Sequence, residues 1–118
     1  LYTEAFMTTS GVSLGPGHSS WSSLSDSTRK ERFRAYDPDA VLAGLRGLRL
    51  GTWNYRGQDP ATMRHWGPMA QDFHRAFGRD GVGVVGTDTT ISTQDADGVL
   101  FAAAQALEAR TRDLEARI

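Results

Sequence analysis

At 118 residues, with 39% hydrophobic and 23% charged side chains, the chain has room for one small domain with a modest core, and its composition is that of a folded protein. A net charge of −1 and a pI near 6.3 argue against a nucleic-acid partner, which calls for a basic face toward the phosphates. The absence of cysteine excludes disulfides and thiol catalysis, and no apolar run is long enough to cross a bilayer, so no membrane partner is expected.

The opening "LYTEAFMTTSG" carries an acid, no base and a broken apolar stretch, unlike a secretory signal. A start at Leu1 instead of Met points to a piece of something longer. Residues 1–24 are rich in Ser, Thr and Gly, and Leu1, Tyr2, Phe6, Val12, Leu14 and Trp21 follow no sustained period. This reads as an arm of loops and short strands that leans on a partner chain or on upstream sequence.

From Ser25 the pattern changes. In "YDPDAVLAGLRGL", Asp37 suits an N-cap and Pro38 the first helical turn, with Val41, Leu42, Leu45 and Leu48 on one face. "LRLGTWNYRG" alternates as a strand closing at Gly57, with Trp53 and Tyr55 on one side and Thr52 and Asn54 on the other. "QDPATMRHW" reads as a turn and a short strand. In "GPMAQDFHRAFGRDG", Pro68 opens a helix, Met69, Phe73, Ala76 and Phe77 share a face, and Gly78 ends it. Trp53, Tyr55, Phe73 and Phe77 are expected in the core. "VGVVGTDTTIST" is β-branched and broken by glycine, which predicts short edge strands or a hairpin.

The last segment is helical. From Leu100 the steps to Ala104, Leu107, Thr111, Leu114 and Ile118 run 4, 3, 4, 3, 4, an a/d seam narrower than the stripe of a core helix. Small Ala104 and polar Thr111 weaken it, and fewer than three heptads leave a terminal helix packed on its own domain as the competing reading. Glu108, Arg112 and Glu115 flank the seam where exposed ion pairs form. The fold class is therefore α+β: a small domain of short strands and two short helices, with a long C-terminal helix. No internal repeat is present. His18, His65 and His74 are too scattered to ligate a metal together, so neither metal nor cofactor is expected.

One stretch admits two chemistries. In "SSLSDSTRKER", Ser25 and Lys30 stand five residues apart with Asp26 beside the serine. The ordinary reading is a helix cap formed by Ser25 or Asp26, with a solvated lysine. The sharper reading is a serine nucleophile with a lysine base. Holding a lysine neutral near pH 7 means lowering its pKa from about 10.4 to about 7, which costs roughly 4–5 kcal/mol. Apolar burial and neighbouring positive charge could supply that, with Arg29 and Arg32 close by, so such a dyad would switch on only after assembly. Spacing alone leaves both readings open.

"SWSSLSDSTRKE", "GTWNYRGQD", "RHWGPMAQDF", "ISTQDADGV" and a closing "AAAQALEAR" helix follow one another in an order that resembles the C-terminal intramolecular chaperone domain of endosialidase tailspikes and related fibres, the peptidase S74 family. The resemblance runs from about Trp21 to the end. It implies a homotrimer at the C-terminus of a phage fibre or spike or of a bacterial surface fibre, which brings three chains into register and is released by autoproteolysis. Carried over residue by residue, Ser25 matches the nucleophile, Asp26 the aspartate that follows it and Lys30 the base, with the cut between Leu24 and Ser25. Where many relatives have an arginine at the third or fourth place of this box, the chain has Ser27 and Thr28, with Arg29 next; the serine-to-lysine spacing is unchanged. Residues 1–24 would then be the end of the upstream protein and 25–118 the chaperone domain, trimerised as a coiled-coil-like bundle through the Leu100–Ile118 seam. The alternative is a trimerising cap that stays on its fibre uncut. Release of a membrane-tethered or DNA-binding upstream domain is a further possibility for which no residue here speaks.

Overall fold

A computed structural model describes residues 11–118; the apolar members of the arm at Leu1, Tyr2 and Phe6 lie outside the described residues. The chain divides into two compact units, Leu1–Arg34 and Ala35–Ile118.

In the first unit, β1 (Val12–Ser13) pairs antiparallel with β2 (Ser22–Ser23), Val12 opposite Ser23 and Ser13 opposite Ser22. Leu24 N–H donates to the Gly11 carbonyl at 3.0 Å and carries the pairing one residue further. Gly17 turns the connecting loop with a φ of 78°, a backbone region that glycine adopts at little cost. A single 3-10 turn, Ser27–Arg29, follows. None of the described residues of this unit is buried.

The second unit is built on three helices. The first, α1 (Pro38–Arg46), starts as its sequence dictates: the Asp37 carboxylate accepts from the N–H groups of Asp39 and Ala40, and Pro38 occupies the first turn. β3 (Gly51–Trp53) then pairs antiparallel with β4 (His65–Gly67), Thr52 opposite Trp66 and Trp53 opposite His65. The turn between them is held locally, with Tyr55 N–H on Gln58 Oε1 at 2.9 Å and Gly57 at a φ of 90°. The second helix, α2 (Ala70–Phe77), begins two residues after Pro68 and ends at Gly78. The third, α3 (Thr93–Ala116), is the long C-terminal helix, capped by Ser92 Oγ on the Asp95 N–H. The architecture is α+β, with short strands and three helices.

Core formation falls to α1 and α3. Val41 and Leu42 are buried against Ala103 and Ala106, with Leu45, Val99 and Ala102 packed around them. Burial of side chains the size of Val41 and Leu42 contributes on the order of 1.5–3 kcal/mol each. Alanines on α3 let the two helices approach closely, and the edges of the contact are pinned by Tyr36 Oη donating to Gln105 Oε1 (3.0 Å) and by an Arg110–Asp39 ion pair (3.3 Å). Gly44 explains itself by what faces it: a Cβ there would stand 2.9 Å from the Phe77 ring.

Two expectations need correction. No strand forms over residues 82–92; the one pairing nearby is a bridge between Arg79 and Val84. Asp80 Oδ1 takes the N–H groups of Val82 and Gly83, and Thr87 Oγ1 takes that of Thr90, so donors that a ladder would need go to side chains. The aromatic residues expected in the core stand outside its buried cluster: Trp53, Phe73 and Phe77 are half-buried, and Tyr55 is exposed, its ring edge-on to Trp53 at 4.8 Å.

Candidate functional site

Backbone geometry brings Ser25 and Lys30 together. An extended chain would hold Cα atoms five residues apart at about 17 Å, beyond the reach of a lysine side chain. The 3-10 turn shortens that path: Arg29 N–H bonds the Asp26 carbonyl (3.0 Å) and Lys30 N–H the Ser27 carbonyl (3.3 Å). Lys30 itself returns to extended backbone, and its Nζ donates to Ser25 Oγ at 2.6 Å.

Asp26 sets up the turn. Its Oδ1 accepts from Thr28 N–H (3.0 Å) and from Thr28 Oγ1 (2.9 Å), and these two bonds hold the carboxyl below its ordinary pKa. Asp26 is therefore the cap, and the Ser25 hydroxyl is left to the Lys30 amine. Asp26 shapes the turn that carries the pair. Thr28 is the residue that sequence reasoning missed here. Its signal is the Asp-x-Thr spacing, which lets a side chain close the turn from both sides.

Leu24 enters the site from a fixed direction, since its N–H is tied to Gly11 at the end of the hairpin. The peptide bond from Leu24 to Ser25 thus joins a paired strand to a capped turn. Ser25, Asp26 and Lys30 are all exposed, as are Leu24, Arg29 and Arg32. Arg32 pairs with the Glu31 carboxylate next to it and has a φ of 50°, the one non-glycine residue with positive φ among those described.

In the second unit the six seam residues, Leu100, Ala104, Leu107, Thr111, Leu114 and Ile118, are all exposed. At 3.6 residues per turn the five that lie on α3 stand roughly a third of a turn around it from the stripe that packs on α1, whereas Ile118 falls beyond the helix, which ends at Ala116. Thr111 Oγ1 donates back to the Leu107 carbonyl at 2.8 Å, so its polar atom is satisfied within the helix. Glu108 and Arg112 form an i,i+4 pair at 2.7 Å, and Arg117 joins Asp113 in the same way at 2.9 Å.

His65 and Asp72 have structural roles in this unit. His65 Nε2 lies 3.0 Å from Gln58 Oε1, and the ring leans on Trp53 and Tyr55. Asp72 is the buried polar residue of the unit, at 6% exposure. Arg49 grips it through Nε (2.7 Å), Nη2 (3.2 Å) and its backbone N–H (3.3 Å), and Arg75 adds a contact at 3.3 Å. The Arg49 bonds hold the Asp72 carboxyl at a pKa of about 2 against the opposing pull of burial. Among the described residues no group of histidine, aspartate or glutamate has the arrangement of a metal site.

Comparison with known proteins places this turn in a recognised context: residues 25–82 match the family model described as chaperone of endosialidase, peptidase S74. Those residues belong to the peptidase S74 family. The match begins at Ser25 itself and takes in the Ser25–Lys30 turn, α1, the β3–β4 pair and α2; residues 83–118, with α3, lie beyond it. No curated protein and no solved structure matches the chain.

Proposed function

We propose that this S74 domain is an intramolecular chaperone that trimerises an upstream fibre or spike segment and then frees it by cutting between Leu24 and Ser25. The observation that carries the reading is the 2.6 Å contact of Lys30 Nζ with Ser25 Oγ at the first residue of the family match. Supporting it is the exposed a/d seam on α3, apolar surface that the core of the second unit leaves free.

The chemistry follows from the position of the serine. Ser25 contributes both the nucleophile and the amide nitrogen of the bond to be cut. Lys30 takes the hydroxyl proton as Oγ attacks the Leu24 carbonyl carbon. The C–N bond breaks as that proton passes to the Ser25 nitrogen, which leaves an ester between Leu24 and Ser25 Oγ. Water hydrolyses the ester to a Leu24 carboxylate and restores the hydroxyl. For this sequence the Lys30–Ser25 contact must run with the amine as acceptor. Exposure of the pair in the single chain accounts for a dependence on assembly: apolar cover and the charge of Arg29 become effective once water is excluded.

Assembly before release has a physical rationale. Parallel three-chain fibres close long loops before their contacts form, and slow strand pairing exposes edges. A compact domain at the C-termini raises the effective concentration of the chains for one another. Its removal leaves the fibre behind a high unfolding barrier, stable by kinetics. The second reading, a cap that stays uncut on its fibre, is favoured by the same exposure of the dyad. Intact mass of the expressed chain separates the two. A break at Leu24–Ser25 that disappears in Ser25→Ala supports release. An unbroken parent trimer supports the permanent cap, and a monomer at micromolar concentration removes both.

A further inference from the structure

The left-handed backbone at Arg32 stands two residues beyond the base. A residue with a Cβ reaches φ near 50° only at a cost, and such conformations persist where the surrounding structure determines them. Arginine has no special aptitude for this region, unlike glycine or asparagine. The bend at Arg32 comes two residues after the extended backbone of Lys30. Lys30 is thus held from both sides, by its N–H on the Ser27 carbonyl before it and by the bend of the chain after it.

We infer that Arg32 is a positioning residue for the dyad, and that it acts through its backbone bend, not through its charge. The inference rests on the proposed self-cleavage of this site. Its guanidinium is already engaged by the adjacent Glu31 carboxylate, and both side chains are exposed, so little of its charge is directed at Lys30. The bend instead fixes the direction in which the chain leaves the base. Without it Lys30 keeps its upstream tether alone, and Nζ spends less time on Ser25 Oγ.

Backbone and charge are separable by substitution. Arg32→Asn and Arg32→Gly remove the charge and keep the bend accessible, whereas Arg32→Val removes both because a β-branched residue resists positive φ. Arg32→Lys keeps the charge at an ordinary backbone preference. Cleavage at Leu24–Ser25 is expected to hold or rise in Asn and Gly, to stay near parental in Lys and to fall about tenfold or more in Val. The pH midpoint of cleavage should be the same in all of them. Asn and Gly variants that lose as much rate as Val, a Val variant that cuts at the parental rate, or a shifted pH midpoint would each overturn the inference. A second readout does not need the cut: the nuclear Overhauser contact between Lys30 Hε and Ser25 Hβ should survive in Asn and vanish in Val. A parent that never cleaves defeats the proposed function, and the Overhauser contact then decides the positioning role alone. Its retention in Val, or its loss in Asn, counts against the bend. Should Val fail to fold by circular dichroism, the Asn and Gly arms still decide between bend and charge.

Discussion

The two compact units solve opposite problems. Ala35–Ile118 buries Val41 and Leu42 against Ala103 and Ala106, caps its helices and pins an aspartate between arginines. Leu1–Arg34 holds the serine and lysine by turn chemistry alone, and no described residue of it is buried. Hydrogen bonds to backbone suffice to place two side chains within contact distance; they do not remove water. A hydroxyl and an amine set in this way are geometrically ready and electrostatically unfinished. What finishes them, in the proposed mechanism, is the neighbouring copies of the chain.

The sharpest break of that comparison is at the base. Lys30→Arg keeps the positive charge and much of the side-chain length, so the turn and any assembly should persist. Guanidinium does not give up its proton in a protein, and cleavage should therefore fall by a thousandfold or more, on the order expected when one member of a nucleophile–base pair is lost. Mass spectrometry over time measures it. A Lys30→Arg chain that cuts at the parental rate removes the dyad.

Assembly is the next target. Leu107→Asp with Leu114→Asp puts like charges along the seam at two exposed positions outside the α1–α3 core. The expected result is loss of the proposed trimer in light scattering with helical content retained, and loss of cleavage with it. Cleavage in such a monomer would separate the chemistry from assembly and undo the proposed dependence of release on assembly.

Legibility in the sequence followed the range of the interactions. Asp37, Pro38 and Gly78 announce helix ends because caps act on neighbours, and α1 and α2 end where these residues place them. Ser25 and Lys30 were legible for the same reason, since the turn that joins them closes within six residues. Asp72 was not. Its position at a helix start already accounts for an acid, while its partner Arg49 lies 23 residues upstream and meets it only through tertiary packing. Residues 82–92 misled in the other direction, because side-chain acceptors at Asp80 and Thr87 outweighed β-branched composition. The bend at Arg32 had no signal at all, as arginine does not mark positive φ.

A smaller effect tests the core of the second unit without touching the first. Gly44 sits inside α1 with the Phe77 ring 2.9 Å from where a Cβ would be and the Ala76 Cβ at 3.2 Å. Alanine gains about 1 kcal/mol of helix propensity over glycine, whereas forcing a methyl group into a filled contact costs about 1–3 kcal/mol. Steric cost should win, so Gly44→Ala is expected to lower stability by about 1 kcal/mol and Tm by several degrees. Calorimetry checks it, and a raised Tm would mean that Phe77 swings aside freely. The dyad contact should be unaffected.

The mildest prediction concerns acid. Asp72 is held at about 2 in the folded chain against 3.8 for an ordinary aspartate. A group whose pKa is lower in the folded state than in the unfolded one stabilises the fold above its unfolded value, and that stability fades as pH falls through the folded value. The Asp72 contribution should thus be complete above about pH 4 and be lost between there and about pH 2. Arg49 and Arg75, both largely exposed, supply the opposing charge, so salt should weaken the effect only in part because the carboxylate itself is buried. Asp72→Asn removes the titrating group while keeping its shape. Urea midpoints of the parent should drop from pH 4 to pH 2 more steeply than those of the variant. Parallel curves for the two would show that Asp72 titrates alike folded and unfolded, and the ion cluster of the second unit would then be a packing feature without electrostatic consequence.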